Sequence, residues 1–213
     1  MILSNSTFKN NHSYHLRGAV RYDSSYLSAD NCKFYNNNAK FNGGAIVGVV
    51  IDQPLNMEII GCNFLNNTAQ NGGSIFNIGN LTVKNYSIFE SNSADTSFGA
   101  IYNQGNTTLQ NVQFYNNNCT MLGGAVGVYT GILRASNCYF TGNSAGNLGG
   151  TISSANQNLP SEMYLIQCIF NNNTAGIFGG AVFSTGNITI SDSNFDSDHA
   201  TQRGEQYPVR EVI

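Results

Sequence analysis

Apolar positions along this chain form short runs with a two-residue rhythm, and the runs recur about every 26 residues, a period of the kind stacked-repeat proteins show. Eight phenylalanines anchor the copies: Phe8, Phe34, Phe64, Phe89, Phe114, Phe140, Phe170 and Phe195, separated by 26, 30, 25, 25, 26, 30 and 25 residues by subtraction of their numbers. Seven and five residues before a Phe stand Leu27 and Ala29, Met57 and Ile59, Leu133 and Ala135, Met163 and Leu165, or Ile188 and Ile190. Thr107 and Leu109 fill the same pair, and Leu81 and Val83 fill it one residue early. Spacing by two puts both side chains on one face of a strand. The residue two before each Phe (Ser6, Cys32, Cys62, Ser87, Val112, Cys138, Cys168 or Ser193) shares that face and is small or medium. A third apolar position, Ile or Val, closes a Gly-Gly-Ala-Ile element in all seven copies that carry one. Each copy therefore predicts three short strands separated by turns.

The polar positions are as periodic. Asn follows Phe by three residues, Ala comes two later, and a glycine pair precedes the Ile or Val, as in NCKFYNNNAKFNGGAI from Asn31 to Ile46. The repeat-defining residues are Phe34, Asn37, Gly43 and Gly44; Phe64, Asn67, Gly72 and Gly73; and Phe89 and Asn92. They continue with Phe114, Asn117, Gly123 and Gly124; Phe140, Asn143, Gly149 and Gly150; and Phe170, Asn173, Gly179 and Gly180. Departures are local: Arg17 and Phe98 replace a first glycine, Ser74 replaces the Ala of one GGAI, and Cys119 replaces the Ala after Asn. The eighth copy keeps Phe195, Asp198 and Ala200 and then runs into TQRGEQYPVREVI, which has no GGAI element. One repeat domain over 1–200 and an irregular tail over 201–213 follow.

A period of this size is too short for a four-stranded propeller blade of ~40 residues, and the Leu pattern of a leucine-rich repeat is missing. The remaining solution is an all-β, single-stranded parallel β-helix of about eight coils, each of 25–30 residues. At ~4.8 Å per coil it is a rod about 35–40 Å long. The Phe column stacks inside, the Asn column turns a corner where amides can ladder from coil to coil, and the glycines allow a bend that side chains would obstruct. Only the two ends expose strand edges.

Composition sharpens this picture. Asn occurs 33 times, Gly 23 times and Trp never, and charged residues make up 10% of the chain, with a net charge of −3. The nine basic residues are scattered, so no stripe exists to track phosphates and nucleic acid is not an expected partner. No apolar run approaches the ~20 residues of a membrane-crossing helix. The opening MILSNSTF shows no export signal and runs straight into the first copy, which points to a piece of a longer chain with any signal or anchor outside it.

Phe-x-x-Asn paired with Gly-Gly-Ala-Ile/Leu/Val at fixed spacing resembles the repeats of the chlamydial polymorphic outer membrane proteins, and of adhesin-like surface proteins in other microbes including methanogenic archaea. The resemblance covers residues 6 to 200. It implies a right-handed parallel β-helix used as an exposed adhesin or passenger at the cell surface. The signal peptide and C-terminal membrane barrel of the chlamydial proteins have no counterpart in this sequence.

Chemistry-bearing residues give no strong site. Four of the five cysteines share one inward column without any Cys-x-x-Cys, which predicts buried thiols rather than metal ligands; Cys32 with Cys62 and Cys138 with Cys168 become neighbours. His12, His15 and His199 lie in the two least regular copies and read as solvated turn residues. Asp30, Glu58, Glu90 and Asp95 occupy different phases of the repeat, whereas a carbohydrate-cleaving site needs acids that converge in one groove. Asp192, Asp196 and Asp198 form the nearest approach to an acidic cluster. Nine Asn-x-Ser/Thr sequons begin at Asn5, Asn11, Asn66, Asn80, Asn85, Asn106, Asn118, Asn172 and Asn187. The two 30-residue spacings place extra residues near 49–54 and 154–160, which read either as tolerated drift in loop length or, together with outward Tyr35 and Tyr115, as the place for a ligand surface.

The expected function is a non-enzymatic, cofactor-free surface β-helix that attaches to glycans or proteins of a host or neighbouring cell. The alternatives are a carbohydrate-active β-helix using Asp192 or Asp198, and a stalk segment that associates end to end.

Overall fold

In a computed structural model, residues 1–14, 18–49, 55–154 and 161–201 are described. His15, Arg17, most of both insertions and the tail from 202 onward lie outside these residues. The described residues wind as a right-handed parallel β-helix, and no helical segment occurs among them. Its second coil shows the plan: a leucine rung (Tyr26–Asp30), a phenylalanine rung (Lys33–Tyr35), an alanine rung (Asn38–Ala39) and a fourth rung after the glycines (Ile46–Gly48).

Each rung pairs in parallel with its counterparts above and below, and like residues meet like. Phe34 is in register with Phe8 and Phe64, Leu27 with Met57, Ile75 with Ile46 and Ile101. The rungs form three sheets, of 14, 8 and 8 strands. The largest unites leucine and fourth rungs because Ile75–Lys84 runs through both as one strand. Eight phenylalanine rungs enclose about seven complete turns rather than eight, since a turn is complete only where a further rung follows.

The main core is one continuous column, and Ala94, Cys119 and Ala145 form a small separate cluster on the alanine rungs. Phe34, Phe64, Phe89, Phe114, Phe140 and Phe170 are fully buried, and all eight phenylalanine rings stack with centroids 4.5 to 5.0 Å apart. The leucine-rung and fourth-rung side chains pack around them in the same cluster. The early placement of Leu81 and Val83 does not break register: they pair with Met57 and Ile59 below and with Thr107 and Leu109 above. The surplus residue is taken up at the next corner, where Asn85 and Tyr86 both adopt left-handed backbone (φ 57° each) while neighbouring coils use one such residue.

Left-handed corners also explain much of the asparagine content. Asn31, Asn111 and Asn137 turn the corner before the phenylalanine rung, and Asn10, Asn36, Asn66, Asn116 and Asn172 turn the corner after it, all with φ between 50° and 58°. Among residues with a side chain, asparagine tolerates this region best, because its short amide can bond locally.

At the glycine pair, Gly123 has φ 63°, and a Cβ on Gly124 would overlap the Gly150 carbonyl of the next coil. Phe98 occupies the first-glycine position of its own coil with φ 63°, a strained conformation for an aromatic residue. Its buried ring lies over Gly127 of the next coil, where any Cβ would overlap the ring. In that outward column Val47, Phe76 and Tyr102 precede Gly127, so the missing side chain is a socket for Phe98. Gly127→Val is therefore expected to destabilise by about 1–3 kcal/mol through overpacking. In a double-mutant cycle read by urea denaturation, Phe98→Gly should remove most of that penalty. Additive effects would show that the socket does not exist.

Candidate functional surface and the asparagine ladder

The buried polar groups serve the scaffold. Asn37, Asn67, Asn92, Asn117, Asn143 and Asn173 are all fully buried at one corner. Each Oδ1 accepts both the backbone N–H and the Nδ2 of the preceding ladder residue, as Asn117 does from Asn92 at 3.0 and 2.9 Å. Each Nδ2 also donates to the carbonyl of the Phe one coil earlier, as Asn117 does to Phe89 at 2.9 Å. Asn11 opens the ladder and Asp198 ends it. A second, shorter ladder that the sequence reading missed joins Asn77 to Asn103 at 2.7 Å, with Asn103 donating onward to Thr107. Its signal is the position two after the Ile or Val that closes GGAI, held elsewhere by Tyr22, Gly48, Val128, Ser154 and Ser184.

The cysteine column also builds a corner. Cys32, Cys62, Cys119, Cys138 and Cys168 are buried thiols. In four of them the S–H points to the carbonyl two residues back, at 3.3–3.4 Å. Ser193 makes the equivalent bond to the Ser191 carbonyl, and Ser87 bonds the Lys84 carbonyl. Burial pushes the Cys62 thiol up to about 12 and the Cys119 thiol up to about 11, far from nucleophilic use near neutrality. Because serine already fills this column, Cys62→Ser should fold normally and cost less than about 1.5 kcal/mol in thermal denaturation, the cost of a volume-conserving change that keeps a donor. A loss of folding would mean that the thiol does more than turn the corner.

The other candidates do not converge. Glu58 accepts from Lys84 at 2.6 Å and Tyr26 at 3.0 Å on the outer face of the leucine rungs, and the Lys84 contact first of all lowers its pKa. Asp30 and Glu90 are exposed on other positions, and Asp192 turns a corner away from the ladder that holds Asp198. Among the described residues no three His, Cys, Asp or Glu side chains are placed to hold a metal ion. Tyr35 and Tyr115 share one outward column but are separated by Leu65 and Glu90. Val49 and Ser154 border the insertions, whose remaining residues lie outside the described part.

Two surface features stand out. An open groove of about 480 Å³ over the first four alanine rungs is lined by His12, Tyr14, Asn38, Lys40, Thr68 and Asp95. On the fourth rungs Phe76 stacks on Tyr102 at 4.6 Å and Tyr102 on Tyr129 at 6.1 Å, an aromatic strip facing outward. All nine sequon asparagines are exposed, and only Asn11 belongs to the ladder. Corner asparagines are thus less committed than the sequence suggests: two residues after a ladder Asn comes the inward Ala column, which excludes Ser or Thr except at Ser13.

Comparison with known proteins agrees with the repeat. Residues 167–185, which run from the cysteine corner through the seventh Phe-x-x-Asn and its glycine pair, match the Chlamydia polymorphic membrane protein (Chlamydia_PMP) repeat. No curated protein and no solved structure matches the chain.

Proposed function

We propose that this chain is a non-enzymatic, surface-presented β-helix whose lateral face mediates attachment to glycans or proteins of a host or neighbouring cell. The observation that carries the reading is the contrast between its inside and its outside. Inward columns hold one residue type for many coils, Phe in all eight rungs and Asn in seven of eight ladder positions. The outward column beside them reads Lys9, Tyr35, Leu65, Glu90, Tyr115, Thr141, Asn171 and Asp196, with no residue type carried from one coil to the next. A constant interior with a varied exterior suits display, in which the scaffold holds shape while individual coils carry contacts. The match to the polymorphic membrane protein repeat supports presentation at a cell surface.

The test pairs a binding screen with localisation. Purified protein should bind at least one member of a glycan, matrix-protein and host-cell panel, and antibody should label it on intact cells of its source. Failure of both, or release of new sugar ends from a polysaccharide panel, would overturn the proposal.

A further inference from the structure

The ladder ends on the one member that cannot play both parts. Oδ1 of Asp198 accepts the backbone N–H and the Nδ2 of Asn173, both at 2.7 Å, as a ladder asparagine would. Its Oδ2 stands where the other members carry Nδ2, and it is buried without a hydrogen-bond partner. In the ladder register that atom belongs to the carbonyl of the Phe one coil earlier: Asn143 donates to Phe114, Asn173 to Phe140, and the eighth member faces Phe170. An ionised oxygen there meets a carbonyl oxygen, two acceptors with no proton between them. A protonated carboxyl can donate its O–H to that carbonyl and reproduce the amide pattern.

We propose that Asp198 is a proton-operated latch for the last coil: protonation completes the ladder and locks residues 187–201 onto the coil before, and ionisation loosens them. Burial raises the Asp198 pKa above the ordinary carboxylate value, and neighbouring Asp196 adds to the effect. Asn173 donation and His199 oppose it. The facing strands of the preceding coil, Ile169–Asn171 and Thr174–Ala175, present no charged group. The sign follows from linkage. A carboxyl whose folded pKa is raised adds stability that is fully present below its unfolded pKa and lost as pH rises through the folded pKa. The last coil is suited to local opening, since Ile188, Ile190 and Phe195 are only partly buried.

The experiment uses the full chain. The Asp198 side-chain carboxyl is titrated by NMR, and amide exchange protection, corrected for intrinsic rates, is followed from pH 4 to pH 7 in wild type and Asp198→Asn. In wild type Asp198 should titrate above its ordinary value, and protection over 187–201 should fall by about tenfold for each unit of displacement. Protection in the central coils should stay constant. Asp198→Asn, which restores the ladder amide, should keep high protection at both pH values. An Asp198 that titrates at or below the ordinary value, or a variant whose last coil loosens with pH as wild type does, would overturn the proposal.

Discussion

Phe114→Ala is expected to remove about 3–5 kcal/mol of stability, against no more than about 2 kcal/mol for Phe8→Ala at the half-buried end of the same column. Phe114 is fully buried, with the rings of Phe89 and Phe140 each 5.0 Å away on either side. Truncation removes one ring and two stacking contacts, and the cavity cannot collapse easily because backbone hydrogen bonds fix the coils above and below. Phe8 has one stacking neighbour, Phe34, and solvent already reaches its other side. Position has a second consequence in an array where each coil contacts only its neighbours. A weak central coil uncouples two halves, so urea unfolding of Phe114→Ala should broaden or split, while Phe8→Ala should keep one transition. Equal costs at both positions would refute a column that derives its stability from two-sided stacking.

The fold was legible in the sequence because its strongest signal, the spacing of the phenylalanines, reports a geometric constraint that every coil must meet. The insertions did not hide that spacing, since Cys32 and Cys62 close one long coil in the same register as Cys62 and Ser87 close a short one. Corners were harder to read. The doublet of Asn36 and Asn37 contains two residues with unrelated tasks, one left-handed and exposed, the other buried in the ladder. A letter pattern alone does not separate them. Phe98 reads as a lapse of the glycine pair until its ring is seen seated over Gly127, a compensation between coils that lies beyond any single repeat. The Asp198 substitution was visible as a letter, but its chemistry depends on which oxygen faces Phe170. The lateral surface was least legible for a physical reason: outward positions are not required to match between coils, so repetition carries no information about them.

Asn117→Leu should cost as much as Phe114→Ala or more, about 3–6 kcal/mol, although it keeps the volume and adds apolar surface. The carboxamide accepts from the Asn92 N–H and Nδ2 at 3.0 and 2.9 Å and donates to the Phe89 carbonyl and Asn143 Oδ1 at 2.9 and 3.0 Å. Leucine satisfies none of these groups, and no water reaches a fully buried corner to take its place. Burying polar partners unpaired costs about 1–3 kcal/mol each, which outweighs the gain from two extra methyl groups. Asn117→Asp separates the two halves of the amide. It retains the acceptor toward Asn92, loses both donations, and places a carboxyl with a raised pKa in the middle of the rod. Its deficit relative to wild type should therefore shrink as pH falls from 7 to 4, because protonation restores a donor. Thermal melts of both variants across that range check the argument. A leucine variant within about 1 kcal/mol of wild type would show that stacked phenylalanines alone hold the corner, and that the ladder follows from the fold rather than specifying it.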